Sequence, residues 1–415
     1  MLKKKMIRDV LQNKSQFITI FLMVLIGVMV YVGIESYMDG MINAADKFYS
    51  ENNLQDLNVM GNNLTKEDLE KIKTLNNVTD AERKLVVTGI DADDNDKTYL
   101  ISFIESNNIS KFYVITGEEF DANKKGVWVD NFYAEKNNLN VGDTIKIQYD
   151  SFILEEKILG LINVPDHIYD VKDESELVPN RNVFGFVYLS YNEIPENYIK
   201  SMVMENLQIN DDKLIDQYIK DFNYKNYIPY NYIMVDVDSK DNVNTVKNDI
   251  EDNVKDALAI IKIEATSSYL MYQGEIAEGA SYVGIFSGLF LFIALLSVIT
   301  TMTRVVKKQK LQIGTLKALG FKNYKISLHY ISYGFLVSLI ASIFGILLGR
   351  FFIGNVFLGL EMSFFEVPNG VPVVNKFSYI VALAVVLVVS FITYLTCRKE
   401  LKKIPAESLR KELPK

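Results

Sequence analysis

The chain's densest interaction chemistry lies in residues 304–325, where Arg304, Lys307, Lys308, Lys310, Lys317, Lys322 and Lys325 occur without one acid. Inside this run Leu311, Thr315, Ala318 and Leu319 fall near one face of a helix, lysines spread around the others, and Gly320 supplies a stop. Such a pattern suits docking rather than bond-making: a short amphipathic helix along a membrane, offered to a soluble partner. A solvated basic connector held near lipid headgroups fits it equally. The other candidates are weaker. Asp91, Asp93, Asp94 and Asp96 invite a calcium reading, but an EF-hand loop needs Gly where Asp96 sits and Glu where Ser102 sits, so a polar hairpin tip is expected. His167 and His329 are the two histidines and Cys397 the one cysteine, which excludes a histidine-rich metal cluster and a disulfide framework. No metal site is expected. No P-loop, HExxH or GxSxG motif is present, so no catalytic residue and no cofactor are assigned to the chain.

Four windows free of charge must position this chemistry: residues 15–34, which with a short extension make a first transmembrane helix over 15–37, and then 282–303, 326–349 and 377–397. At 1.5 Å per residue, roughly 20 residues cross a hydrocarbon core of ~30 Å. The first window follows Lys3, Lys4 and Lys5 as a signal peptide would. It is too long for one and is not followed by a small-x-small cleavage site, so it reads as a retained helix. The expected fold class is therefore membrane α-helical, with four transmembrane helices in a 1+3 arrangement and a large extracytoplasmic α+β domain.

Charge sets the orientation. The chain's net charge of −8 averages two opposite regions. Residues 35–281 hold 46 acidic and 23 basic residues, whereas residues 1–14, 304–325 and 398–415 are basic. Positive flanks face the cytoplasm. Both termini and the 304–325 loop are then cytoplasmic, and residues 38–281 and the short segment 350–376 lie outside; the abundance of Lys, Asn, Ile and Tyr suits an AT-rich bacterial genome, so the expected location is a bacterial plasma membrane. Residues 2–11 place Leu2, Met6, Ile7, Val10 and Leu11 on one face, as an interfacial helix over 1–14 would or as a simple positive flank would.

The external region alternates strand and helix patterns. Strands are expected over Leu54–Met60, Ala81–Ile90, Lys97–Ile104, Phe184–Leu189, Val203–Ile209 and Tyr232–Val237, with a β-rich stretch from Gly126 to Val164. Thr65-Lys66-Glu67-Asp68 reads as a capping box opening a helix. Helices are also expected over Asp211–Phe222 and, with Val243, Val246, Ile250, Val254, Leu258 and Ile261 on one stripe, over Asp241–Ile261. Residues 264–280 read as a helical stalk into the second span. Small residues recur every fourth position in spans two (Ala280, Gly284, Gly288) and three (Gly334, Ser338, Ser342, Gly345, Gly349). They allow close helix–helix packing, in a dimer or within the bundle. Within the four charge-free windows His329 is the one titratable candidate, at the start of span three, and it reads as interfacial.

Three stretches carry a family resemblance. Lys310 to Gly320 (KLQIGTLKALG) resembles the EIGxLKALG coupling segment of the FtsX/MacB family of ABC-transporter permeases. Gly126-Val127-Trp128-Val129-Asp130, Ala134 and Leu139 to Ile145 resemble that family's MacB-like external core domain. Ile404 to Glu412 is similar to its closing P-x-x-x-L-R-x-E pattern. Gln312 departs from the family by standing where Glu is usual, which bears on docking strength and partner choice. The resemblance implies a permease of the mechanotransmission type. A separate cytoplasmic ABC ATPase would bind ATP and dock on Leu311, Gln312, Ile313, Gly314, Lys317, Ala318 and Gly320. Export or extraction of a peptide, antibiotic, lipid or lipoprotein would follow. The permease would pair with itself or with a second permease half, sit in membrane lipid, and contact no nucleic acid. The chain fits either a whole subunit or the first half of a longer permease. A non-transporting regulator or sensor, controlling an external partner such as a cell-wall hydrolase, is the alternative. A membrane-anchored enzyme lacks a catalytic constellation.

Overall fold

The computed structural model describes residues 14–150, 152–173, 176, 178–207, 213–214 and 228–401. The helix expected before residue 14 and the closing pattern at 404–412 lie outside them, as does nearly all of the helix expected over 211–222. The chain divides into a helical unit (1–43, 275–361, 370–415) and a sheet unit (44–274, 362–369).

In the sheet unit, β1 (Leu57–Gly61), β2 (Val78–Asp91), β3 (Thr98–Ile104), β4 (Tyr113–Gly117), β5 (Val127–Asp130), β6 (Thr144–Tyr149), β7 (Phe152–Asn163), β8 (Phe184–Ser190), β9 (Tyr232–Val237) and β10 (Ala257–Lys262) form one mixed sheet. The order is β10-β1-β9-β2-β3-β8-β5-β7-β4, and β6 pairs with β2 and β7. Most pairs are antiparallel; β3–β8 and β5–β7 are parallel. Leu57 and Val59 of β1, two apart on one face, are fully buried. The helix at Lys66–Lys73 opens as its sequence dictates. Thr65 Oγ1 accepts the Asp68 N–H at 3.2 Å and Asp68 Oδ2 accepts the Thr65 N–H at 3.0 Å, both halves of a capping box. Its Leu69 and Ile72 join a core with Tyr99, Ile101, Phe103, Val187, Ile233 and Val246. A second cluster surrounds Trp128, whose indole N–H donates to Glu118 O at 2.7 Å. The sheet unit is thus the α+β domain expected.

Among the described residues four helices are long and apolar enough to cross a membrane: Phe17–Glu51, Ser267–Lys308, Asn323–Glu361 and Lys376–Lys399. The first and second extend beyond residue 43 and before residue 275 respectively, into the residues of the sheet unit. Close approach explains three of the small residues. A Cβ on Gly345 would lie 2.8 Å from Val28 Cβ, one on Gly349 2.8 Å from Met29 O, and one on Gly334 2.5 Å from Thr393 Oγ1. Ser338 is fully buried too. Gly284 and Gly288, by contrast, face open space within the single chain.

Several expected boundaries differ. Residues 203–207 of the strand expected over Val203–Ile209 are the end of a helix, Glu196–Leu207, because Ile199 and Val203 are buried four residues apart on one helical face, and residues 208 and 209 lie outside the described residues. The helix expected over Asp241–Ile261 runs only from Val243 to Asn253; Ala257–Lys262 instead completes the sheet beside β1, satisfying the backbone groups along that edge. The third span does not end at Gly349. The helix continues through a wide turn at Gly349–Gly354 and on to Glu361, because one Arg350 interrupts hydrophobicity but not the backbone hydrogen-bond ladder. Of the segment expected over 350–376, residues up to Glu361 are thus helical. The stalk and second span are a single helix.

Candidate functional site

The docking segment folds as a short helix, α1 (Lys310–Ala318), directly after the helix ending at Lys308. Gln309 fixes its start. It is buried, its backbone O accepts the Ile313 N–H at 3.0 Å, and its Oε1 accepts the Tyr330 hydroxyl at 2.6 Å. The end is fixed by Gly320, whose φ of +83° suits glycine. The Gly320 N–H donates to Lys317 O at 2.9 Å and the Phe321 N–H to Leu316 O at 3.1 Å, which is the Schellman pattern.

The two faces of α1 differ. Ile313 and Gly314 are buried, and Ile313 joins the helical unit's core with Phe17, Val305, Val306, Ile326 and Tyr330, with Leu316 packed against it. Burying one such isoleucine is worth roughly 1.5–3 kcal/mol. Leu311, Gln312, Thr315, Ala318, Leu319 and Gly320 are exposed, with Leu311 at 62% and Leu319 at 70%. Lys317 is half-buried, and burial pushes its ammonium below the usual lysine range. The face carrying Leu311, Thr315, Ala318 and Leu319 therefore points away from the chain's own core. The other seven-residue candidates divide accordingly: Ile313 and Gly314 seat the helix, whereas Leu311, Gln312 and Ala318 are presented. His329, read as interfacial, is buried, with its Nε2 2.8 Å from the Tyr333 hydroxyl.

In the sheet unit, Asp91–Asp96 is the tip of the β2–β3 hairpin. Its carboxylates are used locally. Asp91 Oδ1 accepts the Asp93 N–H at 2.9 Å, Asp94 Oδ1 accepts the Asp96 N–H at 3.2 Å, and Lys146 pairs with Asp93 at 3.2 Å. Among the described residues no three His, Cys, Asp or Glu side chains converge to hold a metal ion.

Sequence patterning gave no sign of a polar cavity of about 600 Å³ in this unit, lined by Asp46, Tyr49, Asp56, Asp236, Lys240 and Tyr269 among others. Tyr49 and Tyr269 stack on one wall with centroids 6.0 Å apart. Burial raises the Asp56 carboxyl, although the Val237 N–H donated to it at 2.9 Å opposes the shift. Burial and the neighbouring Asp56 raise Asp236. These residues lie far apart in sequence, so no local motif could mark them.

Residues 284–406 match the family model of the FtsX-like permease C-terminal domain. No curated protein sequence matches the chain. Among solved structures, the extracellular domain of the noncanonic ABC-type transporter YknZ from Gram-positive bacteria is similar over 50% of this chain and 98% of its own, at 15% identity and a TM-score of 0.29. The periplasmic region of MacB from Actinobacillus actinomycetemcomitans is similar over 52% of this chain and 92% of its own, at 10% identity and a TM-score of 0.31. The match over 284–406 takes in α1 and the third and fourth apolar helices, and over this part the chain is similar to FtsX-like permease C-terminal domains.

Proposed function

We propose that the chain is the permease subunit of an ABC transporter of the mechanotransmission type, converting ATP hydrolysis in a separate cytoplasmic ATPase into movement of its sheet domain. The observation that carries this reading is α1: a helix seated through Ile313 and closed by the turn at Gly320, with Leu311, Gln312, Ala318 and Leu319 left exposed, inside the FtsX-like match. The basic flanks support a cytoplasmic placement of α1 and both termini, with the acidic domain outside. ATP and its chemistry belong to the partner, and no cofactor is assigned to this chain. Membrane lipid is its surrounding solvent, and nothing in the reading calls for nucleic acid. The helix Ser267–Lys308, the least buried of the four and carrying the unoccupied Gly284 and Gly288, supports pairing with a second permease copy or half. Exported or extracted peptide, antibiotic, lipid or lipoprotein is the expected cargo class.

A mild-detergent pull-down of the tagged full-length chain from its native membranes tests the reading. A stoichiometric P-loop ATPase is expected, lost in Leu311→Glu, which alters only the exposed face. Gly314 is a poorer target, because it is buried. No ATPase but a recurrent external partner would instead support a regulator or sensor. The carboxylate- and tyrosine-lined cavity favours that second reading, since it offers the sheet domain a ligand site.

A further inference from the structure

Residues 362–369 connect the third and fourth apolar helices, yet they belong to the sheet unit. Three consecutive side chains of this segment are buried: Phe365 at 3%, Glu366 at 2% and Val367 at 6% exposure. Phe365 packs against Tyr169 and Tyr272, at centroid distances of 5.1 and 5.0 Å. The Glu366 N–H donates to Ile168 O at 2.9 Å, and Asn163 Nδ2 donates to Glu366 O at 3.1 Å. The Glu366 carboxylate pairs with the Arg181 guanidinium, which also lies 3.8 Å from Asp130 Oδ2 and 4.9 Å above the Phe186 ring. All three charged side chains of the cluster are at most 5% exposed.

We propose that Glu366 is a clasp: through Arg181 and Asp130 it fastens residues 362–369 into the sheet domain, giving that domain a third attachment along the chain besides the helices that enter and leave it. The inference rests on the permease reading for its purpose, since a domain moved by helices gains from a further attachment, but its physical content is independent.

One guanidinium faces two carboxylates in this cluster, so one negative charge is in excess where an unpaired buried charge is costly. A shared proton resolves it. Burial raises the Asp130 carboxyl, although Arg181 and the Phe132 N–H, donated to it at 3.0 Å, oppose the shift. Burial, with Asp130 and Asp170 nearby, holds the Glu366 carboxyl well above the usual range although Arg181 opposes this. Glutamine keeps the shape of Glu366 and an oxygen facing Arg181 while removing the excess charge.

Hydrogen–deuterium exchange on the full-length chain in lipid nanodiscs tests the clasp. In the wild type, amides of 362–369 should be protected. Glu366→Ala should raise their exchange at least tenfold, with Trp128 emission and exchange in β3 and β8 unchanged. Phe365→Ala, which removes only the apolar anchor, should raise it as well, and Glu366→Gln should stay near wild type. Unchanged protection in both alanine variants, or Glu366→Gln as unprotected as Glu366→Ala, overturns the proposal. Co-purification of an ATPase has no bearing on this readout, so the clasp and the permease reading fail separately.

Discussion

Asp166→Asn should destabilise the sheet domain more than any surface substitution. Asp166 Oδ2 lies 3.1 Å from Lys84 Nζ, and the two side chains are 6% and 4% exposed. Gln55 Nε2 donates to the same oxygen at 3.2 Å. Burial alone would raise the Asp166 carboxyl, but the Lys84 ammonium and His167 outweigh it and bring the pKa down from 3.8 to about 2. At about 1.4 kcal/mol per unit, that shift corresponds to about 2.5 kcal/mol of stability. Because the folded pKa is the depressed one, the contribution is complete above pH 3.8 and is lost as pH falls through about 2. Asparagine removes the charge and strands Lys84 in the interior, which costs about 3–5 kcal/mol. The assay is urea unfolding of the full-length chain in detergent, followed by tryptophan emission; Trp128 is the one tryptophan, so the signal reports on the sheet unit. The paired replacement Lys84→Met with Asp166→Leu should recover most of the loss, since it removes both charges. An Asp166→Asn cost under about 1 kcal/mol, or wild-type and variant curves of equal slope between pH 4 and 2, would refute the reasoning.

Ile313→Ala should loosen α1 by about 2–4 kcal/mol of lost packing, whereas Leu311→Ala should leave thermal stability unchanged; a melt of each variant separates the two faces. Gly345→Leu should prevent assembly of the helical unit, because the new side chain meets Val28 Cβ and Leu25 O within 3.1 Å, read as loss of a monodisperse detergent-solubilised peak. Gly288→Leu should leave the monomer intact and weaken only pairing with a second permease, read by crosslinking in membranes; unaltered crosslinking would move the pairing face elsewhere. His167, stacked on Phe186 at 4.6 Å, is raised above its ordinary 6.5 by Asp166 and Asp170 despite burial. Its contribution is present below pH 6.5 and lost as pH rises through the folded value. Domain stability should therefore fall on going from pH 6 to alkaline pH, and His167→Phe should abolish that part of the slope.

How much the sequence disclosed follows from the range of the interactions involved. The capping box at Thr65 and Asp68 and the glycine stop at Gly320 are closed by residues within five positions, so their types and spacing suffice. The four spans are equally legible, because the absence of charge over twenty residues is a local property. Strand β10 is not: Ala257–Ile261 continues the helical stripe of Val243–Val254, and only pairing with Leu57–Gly61, some two hundred residues earlier, makes it a strand. Register pairing at such range leaves no periodic trace. Arg350 misled for the opposite reason, since it broke a hydropathy pattern without breaking a helix.

Glu366 is the limiting case. In sequence it is one acid between Phe365 and Val367 in a short connector, indistinguishable from a solvated loop residue. Its partners Arg181 and Asp130 are some two hundred residues distant, and neither sits in a motif. What the sequence does offer is the company it keeps. A carboxylate flanked on both sides by apolar residues in a loop is either exposed together with them, at a cost in apolar surface, or buried together with them, which requires a cation. Arg181 is the one arginine between Arg83 and Arg304, and guanidinium, unlike ammonium, can address two carboxylates from one plane. Physical chemistry thus narrows the partner to few candidates once burial is granted, and the fold supplies the burial. The same dependence makes Arg181→Lys a sharp discriminator. A lysine retains the charge but not the fork, so residues 362–369 should exchange faster in that variant although the cluster's net charge is unaltered, and equal exchange would show that charge alone, without geometry, holds the segment.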